Sequence, residues 1–474
     1  MEGRESGGCP RCAVLQQEID SLKATVTLLA ARVQELEAEL ARSKKDSSNS
    51  SKPPSSDIVK PPKPAFRGKR KRKQGAQPGH RRHERPLFAP EEIDTTWEYR
   101  WERCPDCGGH VQPSDQPPRT MQQVDIVPRP IEISEHRGMA CYCPRCQKTH
   151  YALIDEPVIR AGLVGPHLTA LVAYLKGACH CSFSTIRKFL RDVVCVTISR
   201  GQLAKLIAKV TTSLDASYEL LLEMLPHEPR LNVDETGHKD CGRPMWTWCF
   251  RAPLFTLFKI APTRGSAVLL EVLGHEFDGV LGCDYFSAYR KYMGDCGVLV
   301  QFCLAHLIRD LKFLATHPNR QNQLYGDRVL DVMRKLFRLI HRRDTMTPET
   351  FAAALEKTGK ALCREAVTNV PPTTEATNLA NRFEKHGESY IRFITTPGVE
   401  PTNNLAEQAI RFVVIDRRVT QGSRGETGQR WLERIWTVIA TRAQHGLSVF
   451  EFLREAIRAD LNGEPAPILV PNTS

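Results

Sequence analysis

The stretch LNVDETGHKD, residues 231–240, joins a short apolar run to two adjacent acids. Leu231 and Val233 alternate with a polar residue, which is typical of a strand. The Thr-Gly pair that follows predicts a turn, so we expect the strand to end on the carboxylates of Asp234 and Glu235. Such pairs are common at strand ends, and this one gains meaning only if other isolated acids stand in similar places.

A second acid stands in a similar place in GVLGCDYFSAYRKY, residues 279–292. There a short apolar strand delivers Asp284, and aromatic residues and a helix follow. Two neighbouring strands that end at the same sheet edge would bring Asp234 and Asp284 to one pair of divalent metal ions. Two metals about 4 Å apart can activate a water or a 3′-hydroxyl and stabilise the leaving oxygen of a phosphodiester.

A third acid is expected from a helix, and TNNLAEQAIRF supplies Glu407. Asn404 precedes it by three residues, which also matches a capping box in which Glu407 would bond back to the helix start. Arg411, one turn on, could pair with Glu407 or reach a phosphate. Spacing alone leaves the catalytic and the capping interpretations of Glu407 open.

The rest of the chain indicates several folded units, as expected for 474 residues. Strands arranged first as a meander and then alternating with helices predict a mixed α/β sheet from about residue 228 onward. Helical patterns fill residues 307–395 and interrupt it. Three short helical patterns between residues 160 and 225 are compatible with a helix-turn-helix or with an all-helical connector.

Positive charge is concentrated in one segment. The formal net charge is +12, and the stretch RGKRKRKQGAQPGHRRHER, residues 67–85, holds nine Lys/Arg and one acid. Binding to a polyanion is the functional interpretation, because phosphate contacts release counterions, and a solvated basic tail is the alternative. The candidate DNA-binding residues are Lys69, Arg70, Lys71, Arg72, Lys73, Arg81 and Arg82.

Near the N-terminus, apolar residues recur in steps of four and three from Leu15 to Leu40. Leu occupies one core position and mostly Ile or Val the other, a combination that favours a parallel two-stranded coiled coil. The alternative is an amphipathic helix packed on its own domain. The Ser/Pro-rich linker that follows offers no obvious domain for it, so dimerisation is expected.

Two pairs of cysteines, CPDC and CPRC, each offer two thiolates across a tight turn. Cys104 and Cys107, with Cys143 and Cys146, match the ligand set of a structural zinc site. Cys141 is a spare ligand, and buried free thiols are the alternative. No secretory signal and no long apolar run is present, so we expect a soluble intracellular protein without a membrane partner.

Taken together, these motifs resemble the transposases of the insertion sequence 66 family, an Asp-Asp-Glu group with an RNase H-like catalytic core. The resemblance covers nearly the whole chain and is carried by the leucine-rich coil, SSNSSKPPSSD, GAQPGH, the cysteine pairs, VDETG, CDYFSAY, FCLAH and NNLAEQAIR. It implies that Asp234, Asp284 and Glu407 are catalytic and bind Mg²⁺ or Mn²⁺. His306 and Arg309 match a recurrent family motif, whereas Gln408 departs from the Arg that is usual there.

The resemblance implies a multidomain α/β protein with a defined order of parts. These are a coiled coil at 13–42, a Ser/Pro-rich linker at 43–66, a basic DNA-binding arm at 67–86, a zinc-binding domain at 87–152, a helical region at 160–225, an RNase H-like catalytic domain at 228–420 with a helical insertion at about 307–395, and a C-terminal helical region at 421–474.

The function implied is that of a bacterial DNA transposase, which cleaves the ends of its element and joins them to target DNA. Expected partners are element-end and target DNA, a second copy of the chain or a higher oligomer, and companion proteins if the element encodes them. The expected location is the cytoplasm, at the nucleoid. Two other functions stay in competition, namely an inactive zinc-containing DNA-binding regulator and an RNase H-type nuclease without strand transfer.

Overall fold

The computed structural model describes residues 10–45, 87–110, 112, 118–127 and 130–470. The chain divides into two compact units: residues 63–135 and 193–195 form one, and the remainder forms the other. The basic arm at 67–86 and most of the linker at 43–66 lie outside the described residues. The domain boundaries drawn from the sequence therefore stay predictions.

A long N-terminal helix, α1 (Pro10–Ser43), covers the heptad pattern. Its apolar seam is exposed, with Leu22 at 65% and Val26 at 64% of full accessibility. Near the end of the helix, Arg42 Nε lies 2.7 Å from Oε1 of Glu375. The helix is as predicted, and its seam is free to meet another chain.

The first cysteine pair lies in the smaller unit and forms a tight knuckle. The amide of Cys104 donates to the carbonyl of Gly109 (2.8 Å), and the amide of Gly108 donates to the carbonyl of Cys104 (2.9 Å). Hydrogen bonds from the backbone of Cys107 lower the pKa of the Cys104 thiol.

The second cysteine pair lies in the larger unit, on the hairpin of β1 (Ala140–Cys143) and β2 (Lys148–Tyr151). A hydrogen bond from the backbone of Cys146 lowers the pKa of the Cys143 thiol. The Sγ of Cys146 also lies 3.4 Å from Nε2 of His150. Each pair thus favours thiolate at one of its cysteines, the form that binds metals.

Between the β1–β2 hairpin and the sheet lie the helices α2 (Glu156–Ala161), α3 (Pro166–Gly177), α4 (Phe183–Asp192) and α5 (Arg200–Met224). The stretch Glu156–Gly177 is long and apolar enough to cross a membrane by length and composition alone. The chain breaks helical conformation at Gly162 (φ 71°), however, and α3 packs on α5 and on the C-terminal helix α14 (Val449–Asn462). A core helix of a globular unit has the same properties.

The sheet consists of five strands in the order β5-β4-β3-β6-β7. Strands β3 (Arg230–Asp240), β4 (Arg243–Arg251) and β5 (Thr256–Ala261) form an antiparallel meander. Strands β6 (Val280–Cys283) and β7 (Leu299–Phe302) run parallel to β3, with helices α6 (Ala267–Leu273) and α7 (Ser287–Cys296) in the connections. This is the mixed α/β sheet that the sequence predicts.

The prediction that the first strand ends at Asp234 and Glu235 is wrong. Strand β3 continues to Asp240, because every residue from Asn232 to Asp240 pairs with β4. The turn lies instead at Cys241 and Gly242, whose φ angles of 48° and 83° suit a two-residue hairpin that follows the sheet twist. Only the parallel pairing with β6, which stops at Asn232, ends near the acids.

Helices fill the chain between β7 and the last sheet-associated elements, as predicted for the insertion. They are α8 (Leu304–Ala315), α9 (Arg320–Ile340), α10 (Pro348–Val367) and α11 (Thr374–Thr395). Helix α11 packs on β7 as well as on its helical neighbours. The insertion therefore rests against the edge of the sheet.

Two further helices complete the sheet unit: α12 (Asn404–Thr420) lies on β3 and β4, and α13 (Glu426–Gln444) covers the edge strand β5. The outward amides of β5 donate to side chains of α13, from Phe258 to Thr437 Oγ1 (3.1 Å) and from Ile260 to Glu433 Oε1 (2.7 Å). This satisfies donors that an exposed edge would offer to another chain.

Candidate active site

Asp234 lies on β3, just beyond the point where this strand stops pairing with β6 and pairs with β4 alone. Cys249 of β4 stands opposite Asp234 in the antiparallel ladder, whereas the parallel pairing of Asn232 with Gly282 is the last one to β6. Side chains alternate along a strand, so Asp234 and Glu235 leave the sheet on opposite faces.

Asp284 follows β6 directly, and its carboxylate accepts a hydrogen bond from the amide of Phe286 at 2.9 Å. Continuing the register from Asn232 and Gly282 by two residues brings Asp284 level with Asp234. Gly282 is required at this crossing, because a Cβ there would lie 2.6 Å from Nδ2 of Asn232. The two acids therefore lie just beyond the last parallel pair of β3 and β6.

Glu407 comes from the first turn of α12, and a buried asparagine fixes the start of that helix. Asn403 donates from Nδ2 to the carbonyl of Val233 (2.8 Å), and its Oδ1 accepts from Nδ2 of Asn232 (3.1 Å). Its amide also lies 3.1 Å from Sγ of Cys303, at the end of β7. These contacts hold the helix start beside Asp234.

The capping interpretation of Glu407 does not hold in the structure. Helix α12 begins at Asn404, its cap residue is Asn403, and no side chain makes a cap hydrogen bond. The Oε1 atom of Glu407 is buried and has no hydrogen-bond partner among the described residues. It lies 3.7 Å from Nδ1 of His306, and Oε2 lies 3.9 Å from the guanidinium of Arg309.

Burial and mutual repulsion shape the charges of the three acids. Burial, and then the charges of Glu235, Asp284 and Glu407, raise the pKa of Asp234 well above its usual range. Burial, and then the charge of Glu235, raise the pKa of Asp284 to about 6. Burial also raises the pKa of Glu407, against the opposing charges of Arg309 and Arg411. The structure thus brings the three acids into one electrostatic cluster.

Glu235 has a partner set of its own on the other face. Its carboxylate binds the guanidinium of Arg264 at 2.5 Å and accepts a hydrogen bond from the hydroxyl of Tyr289. The side chain is only 1% exposed, so Glu235 is a buried, paired charge that anchors the strand behind Asp234. This partner set was not predicted from the sequence.

A second group of potential metal ligands overlaps the acids. Cys303, His306 and Glu407 offer ligand atoms that all lie within 4.8 Å of one another. Burial, and then the charge of Arg309, lower the pKa of His306 to about 4, so the imidazole is neutral near pH 7. Burial raises the pKa of Cys303, which keeps that side chain a thiol.

The other predicted site residues fall elsewhere. The cysteines stand in two knuckles, Cys104 and Cys107 in one unit and Cys143 and Cys146 in the other. The basic residues from Lys69 to Arg82 lie outside the described residues. Sequence reasoning missed Asn403, although the Asn-Asn pair before α12 was a possible signal, since a polar residue just outside a helix often has a specific hydrogen bond to make.

Comparison with known proteins identifies the family of the chain. Residues 9–86 match a family of unknown function, DUF6444. An uncharacterized protein of Sinorhizobium fredii, y4qI, is 23% identical over 380 residues, which span 73% of this chain and 68% of the relative. Residues 161–430, more than half of the chain, match the model of the IS66 transposase family. The segment holds all three acids, and the chain belongs to the IS66 family of transposases.

Proposed function

We propose that this transposase cleaves the ends of its element and joins them to target DNA with Asp234, Asp284 and Glu407 as the catalytic residues. The observation that carries the proposal is the convergence of three partly buried carboxylates from β3, the end of β6 and α12. Each of them has a pKa raised by burial. Carboxylates that are held close together despite their mutual repulsion are typical of a site that binds cations.

The residues fit a divalent ion such as Mg²⁺ or Mn²⁺. Carboxylate oxygens are the ligands that these hard ions prefer, and Oε1 of Glu407 is buried with no other hydrogen-bond partner. A bound ion would neutralise the cluster and supply Lewis-acid activation of a water or 3′-hydroxyl. Asp234, Asp284 and Glu407 would hold it.

The surrounding residues position these acids. Asn403 ties the start of α12 to β3, and Glu235 with Arg264 secures the strand from behind. The neutral imidazole of His306 lies beside Glu407 without cancelling its charge. The five-stranded order, with three antiparallel and two parallel strands, supports the RNase H-like core that the family resemblance implies.

An inactive DNA-binding regulator is the competing function. It would require no particular arrangement of the acids, whereas here all three are present and gathered in one place. A nuclease without strand transfer would share the acids, and the exposed seam of α1 disfavours it, because pairing two element ends calls for an assembly of chains. The seam, the basic arm and the cysteine pairs are the proposed assembly and DNA-binding parts.

The acids are tested by charge-neutral substitution. Asp234→Asn, Asp284→Asn and Glu407→Gln should each lower Mg²⁺- or Mn²⁺-dependent cleavage and joining of an element end to below about a thousandth of the parent rate, while DNA binding survives. The matched controls Glu400→Gln and Glu426→Gln alter exposed acids and should retain activity. Glu235→Gln should also retain cleavage, although with lower thermal stability. An active Glu407→Gln protein would contradict the assignment.

The raised pKa of Asp284 has a consequence for stability. Between about pH 4 and pH 6 the folded state keeps a proton that the unfolded state has lost, so stability falls as pH rises through this window. In metal-free buffer at pH 7.5, Asp284→Asn should therefore unfold at a higher temperature than the parent, and the difference should vanish near pH 4. Added Mg²⁺ should stabilise the parent only. Identical pH profiles for parent and variant would refute this.

We propose that the α1 seam joins two copies of the chain. Val26→Glu with Val33→Glu should convert a dimer to a monomer in sedimentation, because both side chains are exposed core positions of the heptad. The control pair Ala24→Glu with Ala31→Glu adds the same charge to the same helix off the seam and should leave the mass unchanged. A seam variant that keeps the parent mass would exclude the coil.

We also propose that Cys104, Cys107, Cys143 and Cys146 hold about one zinc ion per chain. Cys104→Ser with Cys143→Ser should remove the zinc that elemental analysis finds in the purified protein. Cys363→Ser, in helix α10 of the insertion, is the control and should leave the zinc content unchanged. Full zinc content in the double variant would rule these ligands out.

A further inference from the structure

An aromatic cluster adjoins the three acids, and Tyr285 is its centre. Tyr285 follows Asp284 in the chain and is half-buried. Its ring centroid lies 4.9 Å from that of Phe302 in β7 and 6.0 Å from that of His386 in α11. The cluster thus joins the sheet to the insertion immediately beside Asp284.

Two guanidinium groups lie over the Tyr285 ring, and they differ in their partners. Arg382 lies 4.7 Å from the ring centroid and forms an ion pair with Asp310 at 2.7 Å. Arg290 lies 4.5 Å from the same centroid and is exposed. Within the described residues, its guanidinium has no carboxylate within 4 Å and no hydrogen bond. Arg290 is therefore a cation held in place by stacking, with its donors unused.

Helix α11 is kinked at His386, and the kink lies beside Tyr285. His386 has non-helical angles (φ −139°, ψ 23°), and its ring packs edge-on against Tyr285 and Phe302. Its Nδ1 is buried and has no hydrogen-bond partner in the part of the chain that the structure describes. Nearby, Lys385 is exposed, while Glu388 lies 3.7 Å from Arg392.

We propose that Arg290, with Tyr285, binds a backbone phosphate of the DNA strand next to the phosphodiester held at the acids. The planar guanidinium matches two phosphate oxygens, and its stacking on Tyr285 limits the entropy lost on binding. The Tyr285 hydroxyl, which makes no hydrogen bond within the described part of the chain, can donate to the same phosphate. This inference rests on the proposed function and adds a strand-positioning residue to it.

The chemistry selects a phosphate rather than a base. Tyr285 already has protein rings and two guanidiniums around it, so it offers no free face for stacking. Among the described residues of this cluster, the exposed group without an ion-pair partner is the guanidinium of Arg290. A phosphate contact positions the strand without reading its sequence, which is what a site next to the cleaved bond requires.

The test removes the charge from each partner in turn. The probe is a duplex that carries the terminal inverted repeat of the element encoding this chain, with one methylphosphonate placed at successive phosphates around the cleavage position. Binding is measured in EDTA, so that catalysis plays no part. At one position the methylphosphonate should weaken DNA binding by the parent protein about ten-fold. In Arg290→Gln the methylphosphonate at that position should cause no further loss of binding.

Lys291→Gln is the matched control, because Lys291 is the next residue of α7, is 68% exposed and lies near Asp295. It should keep the full methylphosphonate effect, and Arg290→Lys should keep part of it. If Arg290→Gln shows the same methylphosphonate profile as the parent, Arg290 does not bind a phosphate and the inference fails while the proposed function stands. If the parent itself does not prefer the terminal repeat over a scrambled duplex, the proposed function fails and the inference with it.

Discussion

The side chain of one buried residue, Asn403, sets the geometry on which the proposed site depends. It donates to the carbonyl of Val233 and accepts from the side chain of Asn232, so the start of α12 is fixed to β3 one residue before Asp234. The backbone amide of Asn403 also contacts Cys303, so the end of β7 lies against the start of α12. Each of these groups is buried or nearly so, and leaving one unpaired would cost about 1–3 kcal/mol. Glu407, one turn later, has little freedom to leave the two aspartates.

The fold pays an electrostatic cost for this arrangement. The charges of Glu235, Asp284 and Glu407 help to raise the pKa of Asp234, and the charge of Glu235 helps to raise the pKa of Asp284. Glu235 is paired with Arg264 and Tyr289. A bound cation would relieve the repulsion among the other three. Metal binding and stability are therefore linked at this site, since a ligand that binds only the folded state stabilises it.

Much of the architecture could be predicted from local patterns, and the exceptions have physical reasons. The strand before Asp284 and the helical insertion follow from apolar periodicity. The extent of β3 does not, because β4 supplies its hydrogen bonds and the Cys241-Gly242 turn, rather than Thr236-Gly237, reverses the chain. The roles of Asn403 and of Arg290 depend on residues brought together only by the fold. The capping interpretation of Glu407 failed because Asn403, not Asn404, precedes the helix.

The central claim is that Asp234, Asp284 and Glu407 hold one metal centre, and metal-directed cleavage of the chain itself tests it most directly. Fe²⁺ replaces Mg²⁺, and ascorbate with peroxide then generates hydroxyl radicals that cut the backbone beside the bound ion. If the three acids hold one metal centre, cuts are expected near residues 234, 284 and 407, all three suppressed by excess Mg²⁺. Cuts confined to the region of Cys303, His306 and Glu407, with none near Asp234 or Asp284, would contradict it.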